Sequence, residues 1–369
     1  MDDVHKPIYF KGLNGVRAIA AMVVLVCHID QFSRLFNVEK IGFHEHGMAG
    51  YAVDMFFVLS GYLITYLLLA EKEKTKTISL KKFYLRRIFR IWPIYYLAIV
   101  IAVVLIYFNL GTGPRNWIFS LGLYTFFSAN VAYVMDLSIS SIVPLWSVGV
   151  EEQFYLLWPH LVKKTPHYFL AFVSFYLLFV ILKLAMYTIF SPESAAYFFM
   201  AYSSLNIMCM GAIGALIVYF KHPVLSVLYR KEIQIIAWGV LIYSCIYKPL
   251  HLFTFIDQEL NSLFYLIIIV NVSTNKDSLI SLENKVMNYL GRISYGIYVY
   301  HMLVLFTLPS LLSYLGVELN YFSMFGFVTM TTLLTATVSY HYFEMPFLKK
   351  KSTFSIVRST NSGSSVSSL

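Results

Sequence analysis

The chain has 369 residues, 59% of them hydrophobic and only 13% charged, with a mean hydropathy of +0.68. A soluble globular protein is about 25% charged, so a soluble enzyme, a disordered chain and a disulfide-stapled secreted domain are all excluded. The formal charge of +9 then reads as basic residues gathered on the cytoplasmic face of a membrane protein, and no nucleic-acid partner is expected.

The first 15 residues are polar and mixed in charge, without the pattern of a cleavable signal peptide. Apolar runs follow at about 13–34, 48–70, 91–110, 117–133, 147–162, 168–190, 197–220, 233–248, 259–272, 288–309 and 321–345. If every run crosses, Lys163-Lys164, Lys221/Arg230/Lys231 and Lys349-Lys350-Lys351 fall outside. If 117–133 does not cross, 21 of the 28 Lys and Arg share one side. Arg34, Lys40, Arg115 and Lys248 then fall on the other, and Arg17, Lys183 and Arg292 lie within spans. The positive-inside rule favours the second arrangement. The expected fold is therefore an all-α integral membrane protein of about ten transmembrane helices. Both termini are expected in the cytoplasm, with a re-entrant or outer-face segment near 117–133. Residues 1–348 read as one membrane domain without evident internal repeats. Residues 349–369 read as a basic, then Ser-rich, disordered cytoplasmic tail.

An ionisable side chain inside a span costs several kcal/mol, so each one marks a candidate site. Arg17 and His28 are eleven residues apart, which puts them on one helical face about 16 Å apart along the axis. Depth along the other spans brings Asp54, Glu151, Lys183 and His301 into the same outer half of the bilayer as His28, with Glu152 beside Glu151. A carboxylate near an imidazole orients it and suits it to act as a general base. Depth alone leaves open which of these groups touch. The plain alternatives are a snorkelling anchor for Arg17, a structural histidine for His28 and packing ion pairs for Asp54 and Lys183. Arg86 and Arg90, four apart on one face beside the membrane, suit a phosphorylated ligand arriving from the cytoplasm. The tripeptide His44-Glu45-His46 lacks further ligands, and Cys27, Cys209 and Cys245 form no CxxC pair. No metal site is expected.

Six blocks, in order from residue 12 to 348, resemble the acyltransferase-3 family of membrane acyltransferases, which includes bacterial surface-polysaccharide O-acetyltransferases. They are GLNGVRAIAA at 12–21 leading to His28, VDMFFVLSGYLI at 53–64, RRIFRIWP at 86–93, WSVGVEEQFY at 146–155, LGRISYGIY at 290–298 and SYHYFEMPF at 339–347. The resemblance implies ten membrane helices in the bacterial inner membrane. It also implies transfer of an acyl group, usually acetyl, from cytoplasmic acyl-CoA to a hydroxyl on an outward-facing acceptor. By position, Arg17 and His28 match the family's Arg-His pair, with His28 as catalytic base. Arg86 and Arg90 match its RxxxR motif, which binds the CoA phosphates, and Arg17 could contact the CoA chain. Glu151 matches the glutamate of WSxxxE and, with Asp54, is the expected orienter of His28. Ser60, Gly61, Tyr62 and Leu63 match the helix-packing SGYL element. Glu152, His301, Arg292 and Lys183 are secondary candidates. Asn14 stands where many members have Asp.

Acetyl-CoA or another acyl-CoA is thus the expected co-substrate. The leading acceptor is a glycan or lipid-linked glycan, such as lipopolysaccharide O-antigen, capsule or exopolysaccharide. Peptidoglycan or a small molecule is the alternative, chosen by loops 35–47, 111–146 and 310–320. Two other classes compete. A transporter would use the buried His, Asp and Lys as a proton relay, and a sensor would signal through the Ser-rich tail.

Overall fold

The computed structural model describes residues 8–42, 47–108, 111, 113–191, 193–247 and 257–357. Among them there are helices and no β-strand: α1 (Leu13–Gln31), α2 (Met48–Thr75), α3 (Leu80–Tyr107), α4 (Trp117–Thr125), α5 (Ala129–Val134), α6 (Leu145–Lys164), α7 (Tyr168–Ile189), α8 (Ala195–Ser203), α9 (Leu205–Tyr219), α10 (Val224–Leu228), α11 (Lys231–Ile246), α12 (Asp257–Thr274), α13 (Lys285–Tyr314), α14 (Tyr321–Val338) and α15 (Met345–Thr353). A π-helical turn, Ser339–Glu344, joins the last two. His44-Glu45-His46 and residues 358–369 of the expected tail lie outside the described residues.

Among the described residues, seven stretches are long and apolar enough to cross a membrane: α1, α2, α3, α7, α8 with α9, α13, and α14 continuing through α15. The expected ten would also need α6, α11 and α12. These are 20, 16 and 18 residues long, and α6 carries Glu151, Glu152, Lys163 and Lys164. The run 117–133 is broken into helices of nine and six residues around Phe127, whose φ is 56°. At 1.5 Å per residue neither reaches halfway across a hydrocarbon core of about 30 Å. Tyr95 and Tyr96 of α3 donate to the carbonyls of Tyr124 and Thr125, and Gln153 of α6 bonds Asn130, so the broken segment is pinned against two helices.

Two helix crossings set the register of everything else. Where α2 meets α9, a Cβ on Gly61 would stand 1.8 Å from the Met208 carbonyl oxygen, and one on Gly211 would stand 1.9 Å from that of Val58. Small residues at such a crossing let backbones touch, and van der Waals packing then holds the helices where no hydrophobic drive exists. Where α1 meets α13, Gly291 approaches the Asn14 carbonyl equally closely, and Asn14 Nδ2 donates to Asn288 Oδ1 at 3.1 Å. The end of this crossing is clamped by Glu283, which accepts from Tyr9, from Gly12 N at 2.6 Å and from Asn288 Nδ2 at 2.6 Å. Partial burial opposes the charge of Glu283, but these bonds outweigh it and hold the carboxyl below its ordinary value. A depressed carboxyl stabilises the fold above its unfolded pKa and loses that contribution as the pH falls through the folded one.

Glu71, only 1% exposed, pins the α2–α3 hairpin by accepting from Ser79 N at 2.8 Å. At the other end of the chain, helix α15 runs across the boundary expected at 348/349. Residues 349–353 are the last turns of α15, and Lys351 is 4% exposed, because Phe354 stacks on Phe89 with ring centroids 5.7 Å apart.

Replacing Gly61 by Leu forces α2 and α9 apart. The expected loss is at the upper end of overpacking penalties, about 3 kcal/mol, read as a lower melting temperature of the detergent-solubilised protein. Gly50→Ala, with nothing within 4 Å of its Cβ position, should leave melting unchanged.

Candidate active site

A cavity of about 150 Å³ is walled by α1, α2, α3, α6, α13 and α15. On α2 the lining residues recur at helical spacing from Val53 through Phe57, Ser60, Ile64 and Leu67 to Glu71. One face of a single helix thus forms the wall for about 27 Å, close to the thickness of the hydrocarbon core.

The Glu71 end is cationic. Arg17, Arg86, Arg87, Arg90 and Lys351 line the cavity against only two carboxylates, Glu71 and Glu151. Their surroundings differ. Arg86 is committed to the scaffold: Nη2 bonds Glu71 at 2.8 Å and Nη1 donates to the Phe354 carbonyl at 3.1 Å. Arg87 lies over the rings of Phe83 and Tyr155, and its buried Nε has no hydrogen-bond partner. Arg90 lines the cavity without a hydrogen bond to any described residue. Arg86 and Arg90 share a helical face, as the sequence spacing suggests; Arg86 is tied to Glu71, while Arg90 is within electrostatic reach of the buried Glu344 but makes no described hydrogen bond.

Midway along the wall two sequence blocks meet. Ser60 Oγ donates to Glu151 Oε1 at 2.7 Å, and Tyr155 OH donates to Oε2 at 3.2 Å. Arg17 is within electrostatic reach of Glu151. Gly61 seats α2 on α9, Tyr62 OH bonds Ser273 Oγ at 3.3 Å, and Leu63 lines the cavity.

At the far end Ser147 Oγ and Tyr298 OH are 2.7 Å apart, and both reach the Pro144 carbonyl. Tyr298 and the fully buried His301 follow one another on α13, with ring centroids 5.9 Å apart. His301 Nε2 lies 2.8 Å from His28 Nδ1, and the two rings are coplanar within 2°. The tautomers follow from the next contact. His301 Nδ1 faces the Ile297 carbonyl at 3.2 Å, and a carbonyl only accepts, so the proton sits on Nδ1. Nε2 of His301 must then accept, and His28 Nδ1–H donates to it. In the neutral ring, the lone pair of His28 is therefore on Nε2.

The described hydrogen bond of His28 Nδ1 is thus to His301, and the structure brings neither Glu151 nor Asp54 to it. Glu151 is held by Ser60 and Tyr155, and Asp54 accepts from Gln258 Nε2 at 2.8 Å. His28 itself is half-buried and does not line the cavity; it stands one ring beyond Tyr298 and His301. Asp54 belongs to a separate buried network. There Lys183 bridges Gln258 and Glu259 at 2.8 and 2.9 Å, and Asn206 joins Glu259 at 2.8 Å. Lys183 is thus a packing ion pair between α7 and α12. Glu152 faces Trp92 and the cavity excludes it, while Arg292 is exposed on α13 and also lies off the cavity.

Four contributors were missed from sequence. Glu71 and Arg87 sit in a charged stretch that reads as surface, Lys351 falls in an expected tail, and Tyr298 has no ionisable signature at neutral pH. Among the aromatics of the segment 111–146, Tyr124 is fully buried. Tyr133 instead packs with Trp146 and Tyr202.

Comparison with known proteins decides the family: an acyltransferase domain matches residues 10–341. The chain belongs to the acyltransferase-3 family. It is 27% identical over 377 residues to O-acetyltransferase OatA of Staphylococcus aureus (strain NCTC 8325 / PS 47), covering 95% of this chain and 59% of the relative. It is 36% identical over 159 residues to the peptidoglycan O-acetyltransferase OatA of Listeria monocytogenes serovar 1/2a, covering 41% of this chain and 24% of the relative. The chain therefore spans about three-fifths of the length of the Staphylococcus relative. No solved structure matches.

Arg86→Ala leaves Glu71 buried with its counter-charge removed, which should cost about 3 kcal/mol and lower the melting temperature. Arg90→Ala removes a cation with no described hydrogen bond, whose electrostatic neighbour is the buried Glu344, and should lower ligand-free melting less than Arg86→Ala does. Thermal unfolding of the two purified variants checks the contrast.

Proposed function

We propose that the chain is an O-acyltransferase, transferring an acetyl group from acyl-CoA to a hydroxyl of an envelope glycan on the opposite side of the membrane. The carrying observation is the long cavity along α2, cationic at one end and abutting the His301–His28 pair at the other. The cations suit the phosphates of CoA, and a wall of about 27 Å suits an extended pantetheine arm. With the basic residues read as cytoplasmic, the donor enters from the cytoplasm of a bacterial inner membrane, and both termini lie on that side.

Arg90, Arg87 and Arg17 hold the donor's negative end, while Arg86, tied to Glu71, fixes the α2–α3 hairpin around it. His28 Nε2 removes the proton from the acceptor hydroxyl as its oxygen bonds to the thioester carbonyl carbon. The carbon–sulfur bond breaks, and the histidinium returns its proton to the departing thiolate. His301 presents the correct tautomer throughout. Glu151 supports this chemistry indirectly, countering the charge of Arg17 within the chamber.

For the acceptor, the Listeria relative is named as acting on peptidoglycan, which favours peptidoglycan over lipopolysaccharide, capsule or exopolysaccharide. Comparing envelope glycans from producing and deleted cells by mass, for loss of an acetyl increment, tests the acceptor.

His28→Ala at matched membrane abundance should lower transfer by about 10²–10⁴-fold, the usual contribution of a general base; near wild-type activity overturns the reading. His301→Leu should lower kcat with donor binding unchanged. His301→Gln, whose carbonyl can accept from His28 Nδ1–H, should recover part of that loss.

A further inference from the structure

Lys351 is the residue in the cavity that the fold itself does not explain. It is 4% exposed, and its Nζ has no hydrogen-bond partner. Buried charges are normally paired, since an isolated ammonium in a low-dielectric site is strongly unfavourable. Lys351 instead shares its cavity with four arginines. A second unsatisfied donor, Arg87 Nε, lines the same cavity.

The position of Lys351 is built rather than accidental. α15 is docked on α3 by the Phe354–Phe89 stack, by Lys350 over the Phe89 ring at 5.1 Å, and by the Arg86 bond to the Phe354 carbonyl. Beyond α15, Ser355 and Val357 complete the cavity wall. This docking holds an ammonium among guanidinium groups, an arrangement that is unfavourable unless a polyanion completes it. Five cations against two carboxylates leave a formal excess of three positive charges in the cavity lining. Glu152 and Glu344 stand outside the lining, within electrostatic reach of Arg87 and Arg90, and neither reaches the Lys351 ammonium by a hydrogen bond.

We propose that Lys351 is a direct phosphate ligand of the nucleotide thioester donor, and that the segment 349–357 is the closing wall of the donor site. The proposal rests on the acyl-CoA reading above and adds to it a cation from outside the Arg86–Arg90 motif. Lys351 supplies a compact point charge, and Arg87 and Arg90 supply planar donors. Together they match a ligand with several phosphate groups.

The test uses the full chain in detergent or nanodiscs, with CoA itself as the titrated probe. Lys351→Met should weaken CoA binding about tenfold or more, as expected for loss of one charge-assisted bond. It should also leave ligand-free melting unchanged or raised, because it removes an unpaired buried charge. Lys351→Arg should keep affinity within about threefold of wild type, since the charge is retained. Repeating the titration with dephospho-CoA locates the contact: a lost preference for CoA in Lys351→Met assigns the 3′-phosphate, and equal weakening assigns the diphosphate. If Lys351→Met binds CoA as wild type does, or melts lower without ligand while Lys351→Arg does not, Lys351 is structural and the proposal is overturned. If the wild-type protein binds no CoA, the acyl-CoA reading itself falls, a different failure.

Discussion

The cost of placing charge inside a membrane organises this molecule. An ionisable group among apolar helices must find a partner, lose its charge or wait for a ligand, and the buried groups here divide along those lines. Lys183, Glu259, Gln258, Asp54 and Asn206 bond to one another in a network that ties α2, α7, α9 and α12, with Glu259 Oε2 left without a hydrogen-bond partner. His28 and His301 are linked by one shared proton site, with the backbone of α13 fixing its direction. The Lys183 network carries a formal surplus of one negative charge, whereas the chamber beside α2 carries a surplus of three positive ones. Function is expected where balance fails, and the acyl donor is proposed to bind there.

The helix crossings explain how such groups are held without the hydrophobic drive available in water. Gly61 and Gly211 bring α2 onto α9 at backbone contact, while Gly291 does the same for α13 on Asn14 of α1. The first crossing orients α2 so that Ser60 reaches Glu151. The second sets α1 and α13 side by side in the same direction, which carries His28 to His301. The SGYL block is thus more than a packing element: adjacent residues seat the helix and hold the cavity's central carboxylate.

Much of the fold was legible because apolar runs and basic clusters obey simple rules. The failure of 117–133 to cross was visible in charge alone, although the break at Phe127 was not. In the site, Arg17, Glu151 and His28 stood out because each interrupts an apolar run, and Arg90 because it stands four residues from Arg86 beside the membrane. Glu71, Arg87 and Lys351 did not, because charged neighbours in sequence disguised their burial. Depth arguments also read only one coordinate. Asp54 and His28 share an expected depth, but Asp54 leaves α2 towards Gln258 while Val53, Phe57 and Ser60 face the cavity. A lateral position depends on how helices pack, and no single helix records that in its own pattern.

The cavity draws its walls from both extremes of the described chain, Arg17 on α1 and Lys351 on α15. Synthesis proceeds from the first to the second, so the helices that insert early cannot enclose the chamber by themselves. Until residue 351 has left the ribosome and α15 has docked on α3, the arginines of α3 face an open side. Completion of the site therefore waits for α15, and a chain halted before it would lack that wall.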